Sequence, residues 1–203
     1  VSSSLRKVVV VVGLPGVGKS TVLSLASEKL RERGYSVRVV NFGDFMLSYL
    51  LERGVVRSRD EIRKLPLVTQ RELQGLTAKA IREEFEKASG ERFIGIVDTH
   101  AVIRTPAGFW PGLPLSVLRE LRPDLIAVIE ASPEEVLSRQ LRDSSRARSD
   151  YSSKQLLEEL LTTYRYYAIA SSVISGAALI VVVNRENQAS QAAEELVRAV
   201  EEL

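Results

Sequence analysis

Along the chain, short apolar runs alternate with longer stretches in which apolar residues return every three or four positions. The first run is Val8, Val9, Val10, Val11 and Val12, apolar at every position. A run this short and this β-branched predicts a strand buried on both faces, as in a parallel sheet. Next, Val22, Leu23, Leu25, Ala26 and Leu30 recur at helical spacing within residues 20–33, and Gly34 marks the stop. The pattern predicts a second strand over 37–42. A helix then follows with Asp44 as its cap and Gly54 at its end, and after it a short charged element over 57–64. Pro66 opens a long helix to about residue 89, and strand three spans 93–97 and ends at Asp98. Three prolines and two glycines in residues 105–114 predict a shaped loop around Phe109 and Trp110. The remainder alternates again: helix 115–121, strand 124–130, helix from Pro133, helix 152–172, strand 178–183 and closing helix 188–203.

Such alternation from end to end predicts an α/β fold in three layers: a five-stranded parallel sheet flanked by helices, joined by right-handed crossovers. One domain over residues 1–203 accounts for it, with two excursions from the core at 44–73 and 139–150. The first excursion follows strand two, which this reading sets next to the first strand.

The turn after the first strand carries chemistry. Gly13, Leu14, Pro15, Gly16, Val17, Gly18, Lys19 and Ser20 match G-x-x-x-x-G-K-[ST], and Thr21 follows. In such a P-loop, glycines let successive backbone N–H groups turn inward around a phosphate at the positive end of the next helix. The lysine reaches the β and γ phosphates and the hydroxyl ligates Mg²⁺. A buried strand before the motif and a helix after it are what this mechanism requires, whereas a bare Gly-rich turn requires neither. A guanine-nucleotide switch is not matched: Asp98-Thr99-His100-Ala101 lacks the glycine of Asp-x-x-Gly. Asn184-Arg185-Glu186-Asn187 imitates the guanine-reading motif but lacks its final Asp. A small kinase with a second phosphate-bearing substrate remains.

Composition narrows the chemistry further. Hydrophobic residues make up 45% and charged residues 27%, an ordinary globular balance that argues against disorder. The net charge of +2 makes no case for nucleic acid or an anionic membrane as partner. With no cysteine and the single histidine His100, a disulfide framework, thiol catalysis, a Cys-ligated zinc and a multi-histidine metal site within one chain are excluded. No apolar run near the start is long enough to cross a bilayer or to serve as a signal core, so the expectation is a soluble, cytoplasmic protein.

Several segments together resemble archaeal adenylate kinase. They are Gly13 to Thr21, Asn41-Phe42-Gly43-Asp44, Asp60-Glu61-Ile62-Arg63-Lys64-Leu65, Asp98-Thr99-His100, Gly108-Phe109-Trp110-Pro111-Gly112-Leu113-Pro114 and Arg139-Gln140-Leu141-Arg142-Asp143. The resemblance covers nearly the whole chain, and the Phe-Trp loop and the Asp-Glu-Ile-Arg element are its most specific parts. It implies reversible transfer of the γ-phosphoryl of ATP to AMP, giving two ADP, with Mg²⁺. It also implies a nucleoside-monophosphate-binding insertion at 44–73, a short lid at 139–150 and a homotrimer.

From these residues a site can be drawn. Gly13 to Thr21 would hold ATP, with Lys19 also catalytic. Asp98, at the end of a strand beside the P-loop strand, would join Ser20 in holding Mg²⁺ or its waters; its other reading is a cap. Arg63 is assigned to the AMP phosphate with Arg104 as its partner, and Asp44, Thr99 and His100 are candidate AMP contacts. His100 is not needed as a proton shuttle, because the AMP phosphate is already a dianion near neutral pH, and it reads also as a hydrogen-bonding loop residue. Trp110 either walls the AMP base or packs. Arg139, Arg142, Arg146 and Arg148, with Arg165 on the next helix, form a second basic cluster that would close over the transferring phosphoryl group. Arg139, Arg148 and Arg165, with Arg104, are kept as catalytic candidates, while ion pairing of the cluster with Asp143 and Asp150 is the plainer role. The rival functions are a UMP, CMP or dTMP kinase and a regulatory ATP-binding P-loop module.

Overall fold

The computed structural model describes residues 5–105, 108–142 and 153–203. Five parallel strands form the sheet: β1 (Leu5–Gly13), β2 (Ser36–Asn41), β3 (Arg92–Thr99), β6 (Leu125–Glu130) and β7 (Ala178–Val183), in the order β2-β3-β1-β6-β7. Val8 to Val12 of β1 are at most 3% exposed, which is why this strand could be apolar throughout: it has neighbours on both edges and helices on both faces. The helices are α1 (Lys19–Glu32), α2 (Phe42–Glu52), α3 (Arg59–Lys64), α4 (Leu67–Lys87), α5 (Leu115–Leu121), α6 (Pro133–Arg142), α7 (Lys154–Ser175) and α8 (Ala189–Glu201). Helix α1 packs on α8, while α4 packs on α5 and α5 on α7, which gives the two outer layers.

Strand two does not lie beside the P-loop strand. β3 occupies that slot, in register with both neighbours, so that Val97 pairs with Val10 of β1 and with Val40 of β2. The chain leaves β1 for the edge strand β2, and the crossover through α4 returns β3 to the place next to β1. The next connection then runs to β6 on the far side of β1. The order therefore reverses at the carboxyl ends of β1 and β3, the position where open α/β sheets bind ligands.

Residues 102–105 and 108–111, which reach into the expected loop, pair as two antiparallel strands, β4 (Val102–Thr105) and β5 (Gly108–Pro111). Two four-residue strands are too short to show a period against three prolines, so pairing was invisible in the pattern. The pair is folded tightly onto the end of β3: the Gly112 N–H donates to Ala101 O at 2.8 Å, and a Cβ on Gly112 would lie 2.0 Å from the His100 carbonyl oxygen.

Asp44 is not the cap of α2. That place belongs to Asn41, whose Oδ1 accepts from the Asp44 N–H at 3.1 Å, so Asp44 falls in the first helical turn. Ser58 caps α3 through the Glu61 N–H, and the Glu61 carboxylate reaches back to the Arg57 N–H at 2.7 Å, a variant of the capping box. Among the described residues, no helix is long and apolar enough to cross a membrane.

Candidate active site

A cleft of about 670 Å³ opens at the carboxyl ends of β1 and β3. One wall is the P-loop. Leu14 and Val17 anchor it in the core at 2% and 0% exposure, while Gly13, Gly16, Gly18, Lys19 and Ser20 face the opening. Gly16 and Gly18 have φ of 94° and 82°, left-handed conformations that a side chain would strain. A Cβ at Gly18 would also come within 2.3 Å of Asn184 Nδ2. The loop ends on the first turn of α1, whose free N–H groups and dipole favour an anion.

Lys19 and Asp98 make an ion pair in the floor of this cleft, and Lys19 Nζ also donates to the Thr99 carbonyl at 3.0 Å. The other Asp98 oxygen accepts from Asn41 Nδ2 at 3.1 Å. The opposite wall is built from the end of β2 and the start of α2, Asn41, Gly43 and Asp44, with Arg59 of α3 reaching Asp44 in a second ion pair. His100 lies on the rim, its Nδ1 bonded to the Tyr164 hydroxyl of α7 at 3.1 Å. Arg139, in the last turn of α6, lines the cleft from the third side and donates to Val17 O at 3.0 Å and to Asn184 O at 3.1 Å.

Of the sequence-derived candidates, the cleft gathers Gly13, Leu14, Pro15, Gly16, Gly18, Lys19, Ser20, Asp44, Asp98, Thr99, His100 and Arg139. Val17 and Thr21 are not on its surface; Val17 is turned into the core. Arg104 is exposed on β4, and Trp110 stands opposite Ile103 on β5; neither lines the cleft. Arg165 is elsewhere as well. It grips Glu130 at the end of β6 with two hydrogen bonds, one of them 2.9 Å, beside Ser132, Thr162 and Tyr166. Hydrogen bonding to Glu130 and then its charge hold the Arg165 guanidinium further toward the protonated form, against a smaller opposing effect of burial. The backbone puts Arg63 one turn after Arg59 on α3. Arg146 and Arg148 fall outside the described residues, as does most of the expected lid.

Three cleft residues were given no role from the sequence: Asn41, Gly43 and Arg59. Arg59 belonged to the charged excursion but had no motif to set it apart from Arg57 or Lys64. Asn41 and Gly43 lay in the Asn41-Phe42-Gly43-Asp44 segment of the resemblance, in which only Asp44 was assigned a contact. For oxygen-donor chemistry the set is suitable: Ser20 and Asp98 offer a hydroxyl and a carboxylate on the same cleft, the hard donors that Mg²⁺ takes alongside waters and substrate phosphates.

A parallel sheet with a glycine cradle, a lysine and a strand-end aspartate at its switch point defines a P-loop nucleotide-binding protein, and a sequence profile described as "AAA domain" matches residues 12–157. The fold likeness extends to a solved shikimate kinase from Bacteroides thetaiotaomicron, with a TM-score of 0.53, 14% identity, and 97% of this chain and 98% of that one covered. Curated relatives are far nearer in sequence. The adenylate kinase of Saccharolobus solfataricus is 51% identical over 194 residues, covering 96% of this chain and 99% of the relative. That of Sulfurisphaera tokodaii is 44% identical with the same coverage, and that of Methanopyrus kandleri is 42% identical over 97% of this chain and 98% of its own length. The chain belongs to the adenylate kinase family, and is a phosphotransferase acting on nucleoside monophosphates.

Proposed function

We propose that this chain moves the γ-phosphoryl of ATP, held in the P-loop, onto the phosphate of AMP, held against the opposite wall, and forms two ADP. The observation that carries this reading is the meeting of two phosphate-suited walls on one cleft, with Lys19 between them. The P-loop backbone and the α1 N-terminus suit the polyphosphate of ATP. Across from them, Arg59, with Arg63 on the same helix, supplies cationic charge for a monophosphate, while Asp44 holds Arg59 until the nucleotide arrives.

Phosphoryl transfer between phosphates asks little of acid–base chemistry and much of position and electrostatics. Lys19 answers that need: leaving Asp98 and the Thr99 carbonyl for the transferring phosphate, it follows negative charge as it develops. Ser20 and the released Asp98 would hold Mg²⁺, which supplies charge neutralisation between the phosphates. Arg139 closes the third side, and Arg148, in the segment beyond α6, is assigned to cover the reacting group and exclude water. His100 is kept in place by Tyr164 at the rim, where it can meet the acceptor nucleotide. Arg104, Trp110 and Arg165 are candidates for contacts made only when the enzyme closes on both nucleotides. The assembly is proposed as a cytoplasmic homotrimer of 22.5 kDa chains, to be measured by sedimentation equilibrium.

Titration with two adenosines joined through five phosphates tests the central claim. Tight binding, displaced by both ATP and AMP, is expected of two facing nucleotide sites. Weak binding equal to that of ATP alone would leave only a single-nucleotide P-loop module. Initial rates with AMP, UMP, CMP and dTMP then fix the acceptor, with AMP expected to have by far the highest kcat/KM.

A further inference from the structure

Asn184 follows β7 directly, is 3% exposed, and is absent from the walls of the cleft. Its Nδ2 nevertheless donates to the carbonyl of Val17, in the middle of the P-loop, at 2.8 Å. Arg139 Nη1 donates to the same oxygen at 3.0 Å. A carbonyl oxygen has two lone pairs, so this one is fully used. The peptide that follows is planar and trans, with its N–H pointing opposite to its C=O. Pinning the Val17 oxygen toward Asn184 and Arg139 therefore turns the Gly18 N–H away from them, and Gly18 lines the cleft while Val17 does not.

We propose that Asn184 is a positioning residue of the phosphate cradle: with Arg139 it holds the Val17–Gly18 peptide in the orientation that aims the Gly18 N–H at the bound polyphosphate. Three further observations fit. Asn184 is itself immobilised, its N–H donating to Glu130 O at 2.7 Å and its carbonyl accepting from Arg139 at 3.1 Å. Its amide lies so close to Gly18 that a Cβ there would approach Nδ2 to 2.3 Å, so the glycine is needed for this contact as well as for its left-handed φ. And its Oδ1 is buried with no hydrogen-bond partner among the described residues. An unsatisfied buried oxygen is unfavourable, and an apolar side chain would remove it; the amide is worth keeping for its donor. The segment Asn184-Arg185-Glu186-Asn187 thus serves the cradle's backbone through its first residue.

The proposal rests on the reading of the P-loop as the ATP site. The test is KM for ATP and for AMP, kcat and melting temperature in Asn184→Ala, Asn184→Ser and the isosteric Asn184→Asp. Asn184→Ala is expected to raise KM for ATP about tenfold, the loss of one aimed contact to a charged phosphate, and to leave KM for AMP within about twofold. Asn184→Asp, which keeps the shape but offers Val17 an acceptor and adds a negative charge, should raise it further. Asn184→Ser, which retains a donor, should recover part of the loss. If Asn184→Ala does not fold, the Asp and Ser variants carry the same comparison. An unchanged KM for ATP, a parallel rise in both KM values, or no order among the three variants overturns the positioning role. A wild-type chain that neither binds ATP nor phosphorylates AMP overturns the ATP reading and this proposal with it.

Discussion

The two walls of the cleft are built on different principles. The P-loop wall presents backbone: its glycines line the opening, Val17 locks it from below at 0% exposure, and Asn184 and Arg139 both hold the Val17 carbonyl. The facing wall presents side chains. Arg59 and Asp44 are 47% and 71% exposed, and their ion pair stands in solvent, where such a pair contributes little to stability. A backbone site gains precision from the rigidity of the sheet beneath it. A side-chain site on two short helices can rearrange, which suits a substrate that must enter, be enclosed and leave. Losses on the first wall should therefore fall on ATP and on the chemistry, and losses on the second on the binding of AMP.

Lys19→Met would break the first wall most severely. Its charge acts most on the transferring phosphoryl group, so kcat should fall by about 10²–10³ or more, with the circular dichroism spectrum unchanged. Near-normal turnover in the folded variant would remove Lys19 from the chemistry.

On the second wall, Arg59→Ala and Arg63→Ala should each raise KM for AMP roughly ten- to a hundredfold and leave KM for ATP nearly as it was, as expected for one charge-assisted hydrogen bond of about 1.5–3 kcal/mol. Arg148→Ala should instead lower kcat, since contacts made on closure count most in the transition state. Steady-state kinetics with both nucleotides varied separates these outcomes, and an Arg59→Ala enzyme with normal KM for AMP would show that the two walls do not divide the substrates as drawn.

The rim can be tested through stability. Gly112→Ala forces a methyl group into the His100 backbone and should destabilise the fold by roughly 1–3 kcal/mol. Tyr164→Phe removes only the hydroxyl that meets His100, and should cost about 1 kcal/mol. Urea unfolding of both variants gives the order, and a Gly112→Ala protein as stable as wild type would mean that the β4–β5 pair is free to shift.

The smallest effect lies at the end of α1 far from the P-loop, where Arg33 joins Glu194 and Glu201 of α8. Hydrogen bonding to Arg33 holds the Glu194 carboxyl below its ordinary range, against a weaker effect of burial. A carboxyl depressed in the folded state stabilises above its unfolded pKa, and that contribution disappears as pH falls through the lower folded value. Wild type should thus melt slightly above Glu194→Gln at neutral pH, and the two curves should converge below about pH 4. A gap that persists at low pH would assign the difference to packing.

Much of the first wall was legible in the sequence. A run of five valines can satisfy itself only where both faces and both edges are covered, so the central parallel strand followed from Val8 to Val12 alone. Glycine spacing before Lys19 and Ser20 revealed the phosphate cradle because those residues are contiguous and act through backbone. The alternation of strand and helix determined the layered α/β architecture in the same local way. Tertiary structure decided the rest. It set β3 between β1 and β2, a choice of crossover length and handedness that no local pattern carries. It paired residues 102–105 with 108–111 in strands too short for a period to register. And it selected, from many arginines of equal appearance, Arg59 for the cleft and Arg165 for Glu130, because a long charged side chain is assigned by what lies within reach of it across the fold.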